Sequence, residues 1–184
     1  MYLRVISGKA RGLKLESLEG LTTRPTLDKV KQAIFNMLFD ITYDATVLDL
    51  FSGSGAMGIE CISRGSKECT FVDIEKDAID IINKNIKKAK FENESKVIKS
   101  DFISFLNSTN QKFDLVFLDP PYDSDYYEKS LCLLKQNDLL NQNAVIVVES
   151  SKDIVPNFPS DYEITRQKFY GTVCVSLLEA KWKK

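Results

Sequence analysis

The chain has 184 residues, of which 43% are hydrophobic and 28% are charged, and its formal net charge is −1. This composition is typical of one soluble globular domain, and it excludes a disordered chain. No apolar run approaches the length of a transmembrane helix, and the near-neutral charge argues against broad affinity for nucleic acid.

The sequence contains four widely spaced cysteines and no histidine. We therefore expect neither a zinc site nor a disulfide framework, and no metal cofactor. The missing histidine also excludes a Ser/His or Cys/His nucleophile pair, so any chemistry must use carboxylates, hydroxyls, amines or positioning. Because the first residues lack the apolar core of a signal peptide, we expect a cytoplasmic protein.

The N-terminal segment is basic. Residues 1–31 hold seven lysines and arginines against three acids, and the rest of the chain carries an excess of acids. Leu3 to Ile6 and Leu13 to Leu15 are β-prone pieces joined by Ser-Gly-Lys-Ala-Arg-Gly, which predicts a β-hairpin. Lys9 and Arg11 at its tip could contact a phosphate backbone, although a basic solvated surface fits the charge equally well.

A helix is predicted after the hairpin. The segment around Arg24 and Pro25 is extended, since the residue before a proline avoids the helical region. Thr26 can then cap a helix whose apolar residues recur at helical spacing from Leu27 to Ile41. As a structural alternative without a ligand contact, Arg24 would only brace this junction.

A glycine-rich turn follows the first buried strand. Val47 to Phe51 is apolar without alternation, as in a strand buried on both faces. The next residues have G-x-G-x-x-G spacing over Gly53 to Gly58, and a helix then begins at Ala56. Strand, glycine turn and helix open a nucleotide-binding βαβ unit, although glycine turns also serve packing alone.

Two acids flank this turn. Asp73 ends a second short strand 20 residues after Gly53, where a carboxylate can accept hydrogen bonds from ribose hydroxyls. Asp49 lies in the first strand, where a carboxylate is costly unless it is hydrogen-bonded. We expect Asp49 to serve the loop or a cationic ligand group; a brace without ligand contact is the alternative.

The remaining elements alternate between helix and strand. Asp101 follows the third strand, where it could cap the next helix, meet an adenine amino group, or do both. Five such alternations and a closing β-hairpin predict an α/β fold with a mostly parallel, doubly wound sheet, and ligands over the C-terminal strand ends. The predicted elements are a helix at 77–90, strands at 96–99 and 113–118, a helix at 126–135, a strand at 144–149 and a hairpin at 162–181 turning at Tyr170-Gly171.

The motif Asp119-Pro120-Pro121-Tyr122 follows the fourth strand and is the most specific signal. The Asp119 carboxylate and the Pro120 carbonyl can hold both hydrogens of an exocyclic amine, so that the nitrogen lone pair points at an electrophile. The two prolines fix the carbonyl, and Tyr122 offers a stacking surface for a base, an interaction of about 1 to 3 kcal/mol. A turn-forming Asp-Pro without chemistry is the structural alternative.

A methyl sulfonium is an electrophile activated enough for such a site, and S-adenosylmethionine matches the other features. Its carboxylate suits the glycine turn, its ribose Asp73, and its adenine the region of Ile74, Asp101 and Phe102. The predicted cofactor-binding residues in the core are Asp49, Phe51, Gly53, Ser54, Gly55, Asp73, Ile74, Asp101 and Phe102.

The motifs VLDLFSGSGAMGIE and DPPY, with Asp73, resemble the class I S-adenosylmethionine-dependent methyltransferases that act on exocyclic amines. Further matches at RVISGKARG, RPTLDKVKQAIFNML, FDLVFLDPPY and FYGTVCVSLLEAKW extend the resemblance nearly end to end to the RsmD-type 16S rRNA guanine-N2 methyltransferases. This resemblance implies a Rossmann-like sheet of seven strands with an N-terminal β-hairpin extension. It implies one domain over 1–184, with the basic hairpin and the RPT segment in 1–26 and the catalytic core in 27–184.

The resemblance also implies roles for individual residues. Arg24 and Thr26 would help to close the cofactor site, and residues 119–122 would form the catalytic segment. The substrate contacts would be Arg4, Lys9, Arg11, Tyr122 and Tyr170. The implied partner is 16S rRNA within an assembling small ribosomal subunit. The resemblance also implies a monomer that does not associate with membranes.

Three other functions share some of these features. An NAD-dependent oxidoreductase has the same glycine spacing and acid, but it has no use for the DPPY motif. A DNA adenine-N6 methyltransferase also carries DPPY, but such enzymes usually add a target-recognition region. A non-catalytic RNA-binding domain that retains a dead site is the third alternative.

Overall fold

The computed structural model describes residues 3–17, 25–121 and 125–182, with the backbone alone for 25–28. The strands are β1 (Thr46–Asp49), β2 (Glu68–Asp73), β3 (Ser95–Lys99), β4 (Phe113–Leu118), β5 (Leu140–Ser151), β6 (Tyr162–Tyr170) and β7 (Val173–Ala180). The helices are α1 (Pro25–Met37), α2 (Ala56–Ser63), α3 (Lys76–Ala89), α4 (Phe102–Ser108) and α5 (Tyr126–Gln136), with a 3₁₀ turn at Glu92–Glu94.

The strands form one sheet in the order β3-β2-β1-β4-β5-β7-β6. The first five in this order are parallel, and β7 lies antiparallel between β5 and β6. The predicted α/β fold, with seven strands and a doubly wound sheet, is therefore confirmed. β5 is longer than predicted, because pairing with β7 continues to Ser151.

One predicted helix boundary is wrong. α1 begins at Pro25, so Thr26 lies in its first turn and not at the N-cap. Proline suits the first helical position because it has no N–H to leave unpaired and its φ is already helical. Within the described residues, no helix is long and apolar enough to span a lipid bilayer.

The sheet carries a separate apolar core on each face. On one face α1, α2 and α3 share an apolar core with β1, β2, β4 and β5, through residues such as Phe35, Ile59 and Ile82. On the other face α4 and α5 pack through residues such as Phe105 and Leu131. Both faces of the central strands are buried, as their continuous apolar runs predict.

The N-terminal hairpin forms as predicted. The Val5 N–H donates to the Leu13 carbonyl at 2.9 Å, and the Leu15 N–H donates to the Leu3 carbonyl at 2.8 Å. Val5 and Leu15 are buried in the same apolar core as α1, α2 and α3. The hairpin is therefore part of this apolar core and not a separate appendage.

A buried carboxylate on α2 attaches the hairpin. Glu60 has no exposed surface, and its two oxygens accept hydrogen bonds from the N–H groups of Ile6 and Ser7 at 2.7 and 3.0 Å. The Lys31 ammonium of α1 lies 3.0 Å from this carboxylate, and the Arg64 Nε lies 2.8 Å away. A buried charge needs several partners to be tolerated, and here the partners come from the hairpin, α1 and α2.

Close backbone contact at the hairpin tip requires glycine. Gly8 has a φ of +80°, and a Cβ added there would lie 1.7 Å from the Ser63 carbonyl oxygen. The neighbouring Lys9 N–H donates to that same oxygen at 2.7 Å. The tip thus lies on the C-terminal end of α2.

We expect Gly8→Ala to destabilise the protein much more than Gly12→Ala. Both glycines have a left-handed φ, +80° and +86°, but a Cβ at Gly12 meets nothing within 4 Å. Backbone strain should cost both variants about 1 to 2 kcal/mol, and the clash should cost Gly8→Ala about 1 to 3 kcal/mol more. Urea unfolding of both variants would measure the difference, and equal losses would contradict this account of the tip.

Candidate active site

The carboxyl ends of the central strands meet at one edge and surround a cleft of ≈ 340 Å³. Asp49 of β1, Asp119 after β4 and Glu149 of β5 all line it, together with the glycine loop. Parallel pairing explains this, since Asp49 pairs with Phe117 and Leu118 pairs with Val148 across neighbouring strands. The structure therefore brings the glycine loop and the start of the DPPY motif together, as the sequence predicts.

Backbone conformation shapes the glycine loop. Gly53 and Gly55 have φ angles of +53° and +75°, in the left-handed region that favours glycine. The Ser52 hydroxyl donates to the Asp49 carbonyl at 2.6 Å and accepts from the Val72 N–H at 2.9 Å. These bonds hold the loop against the ends of β1 and β2.

The third glycine of the motif serves packing. A Cβ at Gly58 would lie 2.3 Å from the Phe71 ring and 2.5 Å from the Cys69 sulfur. No residue larger than glycine fits there without moving the sheet beneath α2. The spacing G-x-G-x-x-G thus combines a turn that lines the cleft with a close helix-to-sheet contact.

Asp49 is almost fully buried beneath the loop, with 4% of its surface exposed. Its Oδ2 accepts a hydrogen bond from the Gly58 N–H at 3.0 Å. Burial raises the pKa of Asp49 to about 7; the Gly58 hydrogen bond opposes the rise, and the nearby charges of Asp119 and Asp73 add to it. The predicted loop-bracing role is therefore present, and the side chain also reaches the cleft.

Asp73 braces the outer side of the loop. One carboxylate oxygen accepts from the Gly53 N–H at 2.8 Å, and the other accepts from the Glu75 N–H at 2.9 Å. Each oxygen retains a further lone pair that a ligand hydroxyl can use. Ile74 beside it is 59% exposed and offers an apolar surface at the same edge.

Asp101 and Phe102 begin α4 next to this region. Asp101 caps the helix by accepting from the Ser104 N–H at 2.9 Å, and that hydrogen bond lowers the pKa of Asp101. The Phe102 ring packs on Phe51, with 5.4 Å between ring centroids. Tyr126 of α5 stacks on Phe51 at 6.1 Å and 6° between ring planes, and no sequence motif indicated it.

Asp119 and Glu149 form a pair of carboxyl groups in the cleft. Burial and the nearby Glu149 charge raise the pKa of Asp119 well above its usual range. Burial raises the pKa of Glu149 to about 7. The Asp119 residue nevertheless keeps part of its surface open to solvent. Pro120 beside it is buried, and Tyr122 lies outside the described residues.

Four of the predicted substrate contacts, Arg4, Lys9, Arg11 and Tyr170, do not line the cleft, and the fifth, Tyr122, is outside the described residues. Arg4 and Arg11 are exposed beside Gln32 around a separate hollow of ≈ 260 Å³. Lys9 is exposed at the far end of α2, which runs back along the strands from the cleft. Tyr170 lies at the same sheet edge as Glu149, but two strands away. Arg24 and the Thr26 side chain lie outside the described residues.

Comparison with models of known protein families identifies the family of this chain. A family model described as "Conserved hypothetical protein 95" matches residues 3–179, nearly the whole chain. The chain belongs to this family.

Relatives and solved structures agree with this family. Two proteins described as "Ribosomal RNA small subunit methyltransferase D", from Haemophilus influenzae and Escherichia coli, are 36% and 34% identical to it. The matches cover 96% of this chain and 93% and 89% of those relatives. The solved structure of Escherichia coli yhhF has a TM-score of 0.88 at 31% identity, covering 98% of this chain and 99% of that one. This member of the family is therefore a methyltransferase with the class I fold.

Two residues of this site, Glu149 and Asn85, were not identified from the sequence. Glu149 directly follows the apolar run of β5, much as Asp49 and Asp73 follow apolar residues of β1 and β2, so the same pattern could have identified it. Asn85 stands on the apolar face of α3 and has no exposed surface. Its amide donates to the Ser54 carbonyl at 2.9 Å and so braces the glycine loop. A polar residue on an apolar helical face was the available signal.

We expect Asp49→Asn to become more stable relative to the wild type as pH rises from 4 to 8. The folded-state pKa of Asp49, about 7, lies above its ordinary value of 3.8, so the folded state binds the proton more tightly. Wild-type stability from this group is thus present at low pH and is lost as pH rises through 7. At 1.36 kcal/mol per pKa unit, the loss has an upper limit of about 4 kcal/mol.

Urea unfolding at pH 4.5 and pH 8 would measure this change. Asp138→Asn is the matched control, because Asp138 is an exposed carboxylate paired with Lys112 on the surface. A pH-independent difference between Asp49→Asn and the wild type would contradict the assignment of a buried, proton-binding Asp49.

Proposed function

We propose that this protein transfers a methyl group from S-adenosylmethionine to the exocyclic N2 amine of a guanine in 16S rRNA. The observation that carries the proposal is the shared cleft, in which Asp119 of the DPPY motif lines the same cavity as the glycine loop. The relatives described as ribosomal RNA small subunit methyltransferases support the rRNA substrate. The proposal implies a cytoplasmic monomer that acts on an assembling small subunit.

The residues of the cleft fit the methyl donor. Asp73 has free lone pairs for ribose hydroxyls, and exposed Ile74 provides an apolar contact for the adenine. Asp49 lies beneath the loop, where a carboxylate suits the donor's ammonium group. Gly53 presents bare backbone, and a Cβ there would meet nothing, so its side of the loop is open to a ligand.

S-adenosylmethionine would supply a sulfonium methyl group, which departs from sulfur as the sulfur keeps the bonding electron pair. Asp119 would accept one hydrogen of the guanine amine, and the Pro120 carbonyl would accept the other. Held this way, the nitrogen lone pair points at the methyl carbon and forms the new bond. The methylated amine is then cationic, and the Asp119 carboxylate can take its surplus proton.

The raised pKa of Asp119 suits this role. Burial and a nearby like charge make the Asp119 carboxylate more basic. A more basic carboxylate forms a stronger hydrogen bond with the amine and accepts the proton more readily. The Asp119 carboxyl group still needs to be ionised to accept the hydrogen bond and then the proton. The open side of Asp119 lets solvent exchange that proton once the base has left.

Incorporation of tritiated methyl groups would test the function. We expect the purified protein to label 16S rRNA in small-subunit particles from a strain lacking this protein, and to leave duplex DNA unlabelled. Nucleoside digestion should place the label in N2-methylguanosine. Label in DNA alone would support the adenine-N6 alternative, and binding of NAD without S-adenosylmethionine in calorimetry would support the oxidoreductase.

We expect Asp119→Ala to lower the rate of methyl transfer at least 100-fold while leaving the affinity for S-adenosylmethionine within about threefold. The physical reason is that Asp119 holds the amine, whereas the glycine loop and Asp73 hold the donor. Single-turnover transfer and calorimetry would measure the two quantities. Asp161→Ala, at an exposed acid paired with Lys135, is the control. Unchanged transfer by Asp119→Ala would refute the catalytic role.

A further inference from the structure

Glu149 stands beside the predicted catalytic segment, and no role has been assigned to it. Leu118 of β4 pairs with Val148 of β5 in parallel register, so Asp119 and Glu149 are the next residues along two neighbouring strands. Adjacent strands lie about 4.8 Å apart, and side chains at matching positions project to the same face. Both side chains line the cleft, and Glu149 reaches one methylene further than Asp119.

The surrounding structure fixes the backbone of Glu149 and leaves its carboxyl group open to a ligand. The Tyr127 hydroxyl donates to the Glu149 main-chain carbonyl at 2.8 Å, and Glu149 also pairs with Val175 of β7. Within residues 3–17, 25–121 and 125–182, no group donates a hydrogen bond to its carboxyl oxygens. Lys31 also lines the cleft, and its ammonium group forms an ion pair with the Glu60 carboxylate, 3.0 Å away.

Glu149 is half-buried, so part of its solvation is lost, and that loss is costly where no protein donor replaces it unless a ligand supplies one. Burial raises the pKa of Glu149 to about 7, which expresses this cost. A ligand that donates hydrogen bonds to both carboxyl groups would offset the burial and the repulsion between them. The cleft is therefore complementary to two neighbouring donors on one planar group.

Guanine and adenine differ at this position. Both present an exocyclic amine, so Asp119 and Pro120 alone do not distinguish them. Next to its amine, guanine carries the N1–H donor, whereas N1, the ring nitrogen next to the adenine amine, carries no hydrogen. A carboxylate accepts hydrogen bonds and, when ionised, donates none.

We propose that Glu149 accepts a hydrogen bond from the N1–H of the target guanine while Asp119 holds its N2 amine, and that Glu149 thereby selects guanine. This inference rests on the proposed function and adds to it the residue that reads the base. A base without N1–H would place a lone pair against the Glu149 carboxylate and leave that carboxylate unpaired. Sites that hydrogen-bond a substrate group reject analogues lacking it by factors as large as about 10⁴ to 10⁵.

2-Aminopurine is the probe that separates these features, because it keeps the 2-amine of guanine but has no hydrogen on N1. The methylated nucleotide is first mapped with wild-type protein. Small-subunit particles are then reconstituted with guanine or 2-aminopurine at that nucleotide, and single-turnover methyl transfer is measured for each. We expect the wild type to prefer guanine at least 100-fold.

Glu149→Gln provides the second arm, since its amide can donate to the unprotonated N1 of 2-aminopurine. We expect the preference for guanine to fall at least tenfold, through slower transfer to guanine and faster transfer to 2-aminopurine. Glu163→Gln, at an exposed position on edge strand β6, should keep the wild-type ratio. Thermal unfolding and affinity for S-adenosylmethionine confirm that each variant is folded.

The outcomes separate the proposals. If Glu149 acted only through its charge on Asp119, Glu149→Gln would change both rates equally, and that unchanged ratio would overturn the role in selection. Wild-type transfer to 2-aminopurine as fast as to guanine would overturn it without any variant. Absence of label in rRNA with the wild type would instead overturn the proposed function, and the guanine assignment with it.

Discussion

Parallel strand pairing is the constraint on which the cleft depends. Neighbouring parallel strands end at the same edge, so acids at the ends of β1, β2, β4 and β5 converge although they are far apart in sequence. Their proximity is costly: burial raises the pKa values of Asp49, Asp119 and Glu149, and nearby like charges add to the rise for Asp49 and Asp119. Perturbed carboxyl groups in a cleft are typical of functional sites, because a core built for stability alone would not gather them.

The hairpin and α3 hold the walls of this cleft in place. Glu60 ties the hairpin to α1 and α2, and Leu3 at the hairpin base lines the cavity. Asn85 joins the Glu16 backbone to the Ser54 carbonyl, so the segment after the hairpin and the glycine loop share one support. Two buried polar residues that do not line the cleft thus hold its surroundings in place, Glu60 the hairpin and Asn85 the glycine loop.

Local patterns in the sequence predicted most of the fold. Continuous apolar runs identified the strands, and the spacing of Gly53 to Gly58 with Asp73 identified the loop and its brace. Long-range partners were not predictable in the same way. The attachment of Ile6 and Ser7 to Glu60 depends on contacts across 54 and 53 residues, and no local pattern encodes them. The predicted start of α1 was too late. Threonine is a favoured N-cap residue, which indicated Thr26 as the cap, whereas the helix begins at Pro25.

The same limit applies to the site. Asp119 was identified by its motif, but Glu149 belongs to no motif, and only the register of β4 and β5 reveals that the two are neighbours. Tyr126 stacks on Phe51 through the placement of α5, which the sequence does not specify. Motifs thus identified the residues proposed to contact the donor and the amine, whereas residues that complete the cleft required the tertiary structure.

The acidity of the cleft bears on how a polyanionic substrate would bind. Asp49, Asp119 and Glu149 repel phosphate groups, so an RNA backbone is favoured outside the cleft while an uncharged base turns into it. Arg4 and Arg11 stand on the outer surface, where they can attract that backbone. Arg4 and Arg11 line a different hollow from the acids, and screening over about 8 Å at physiological salt keeps the attraction and the repulsion local. A net charge of −1 is then compatible with RNA binding, because the attraction is local and the repulsion helps to present only the base.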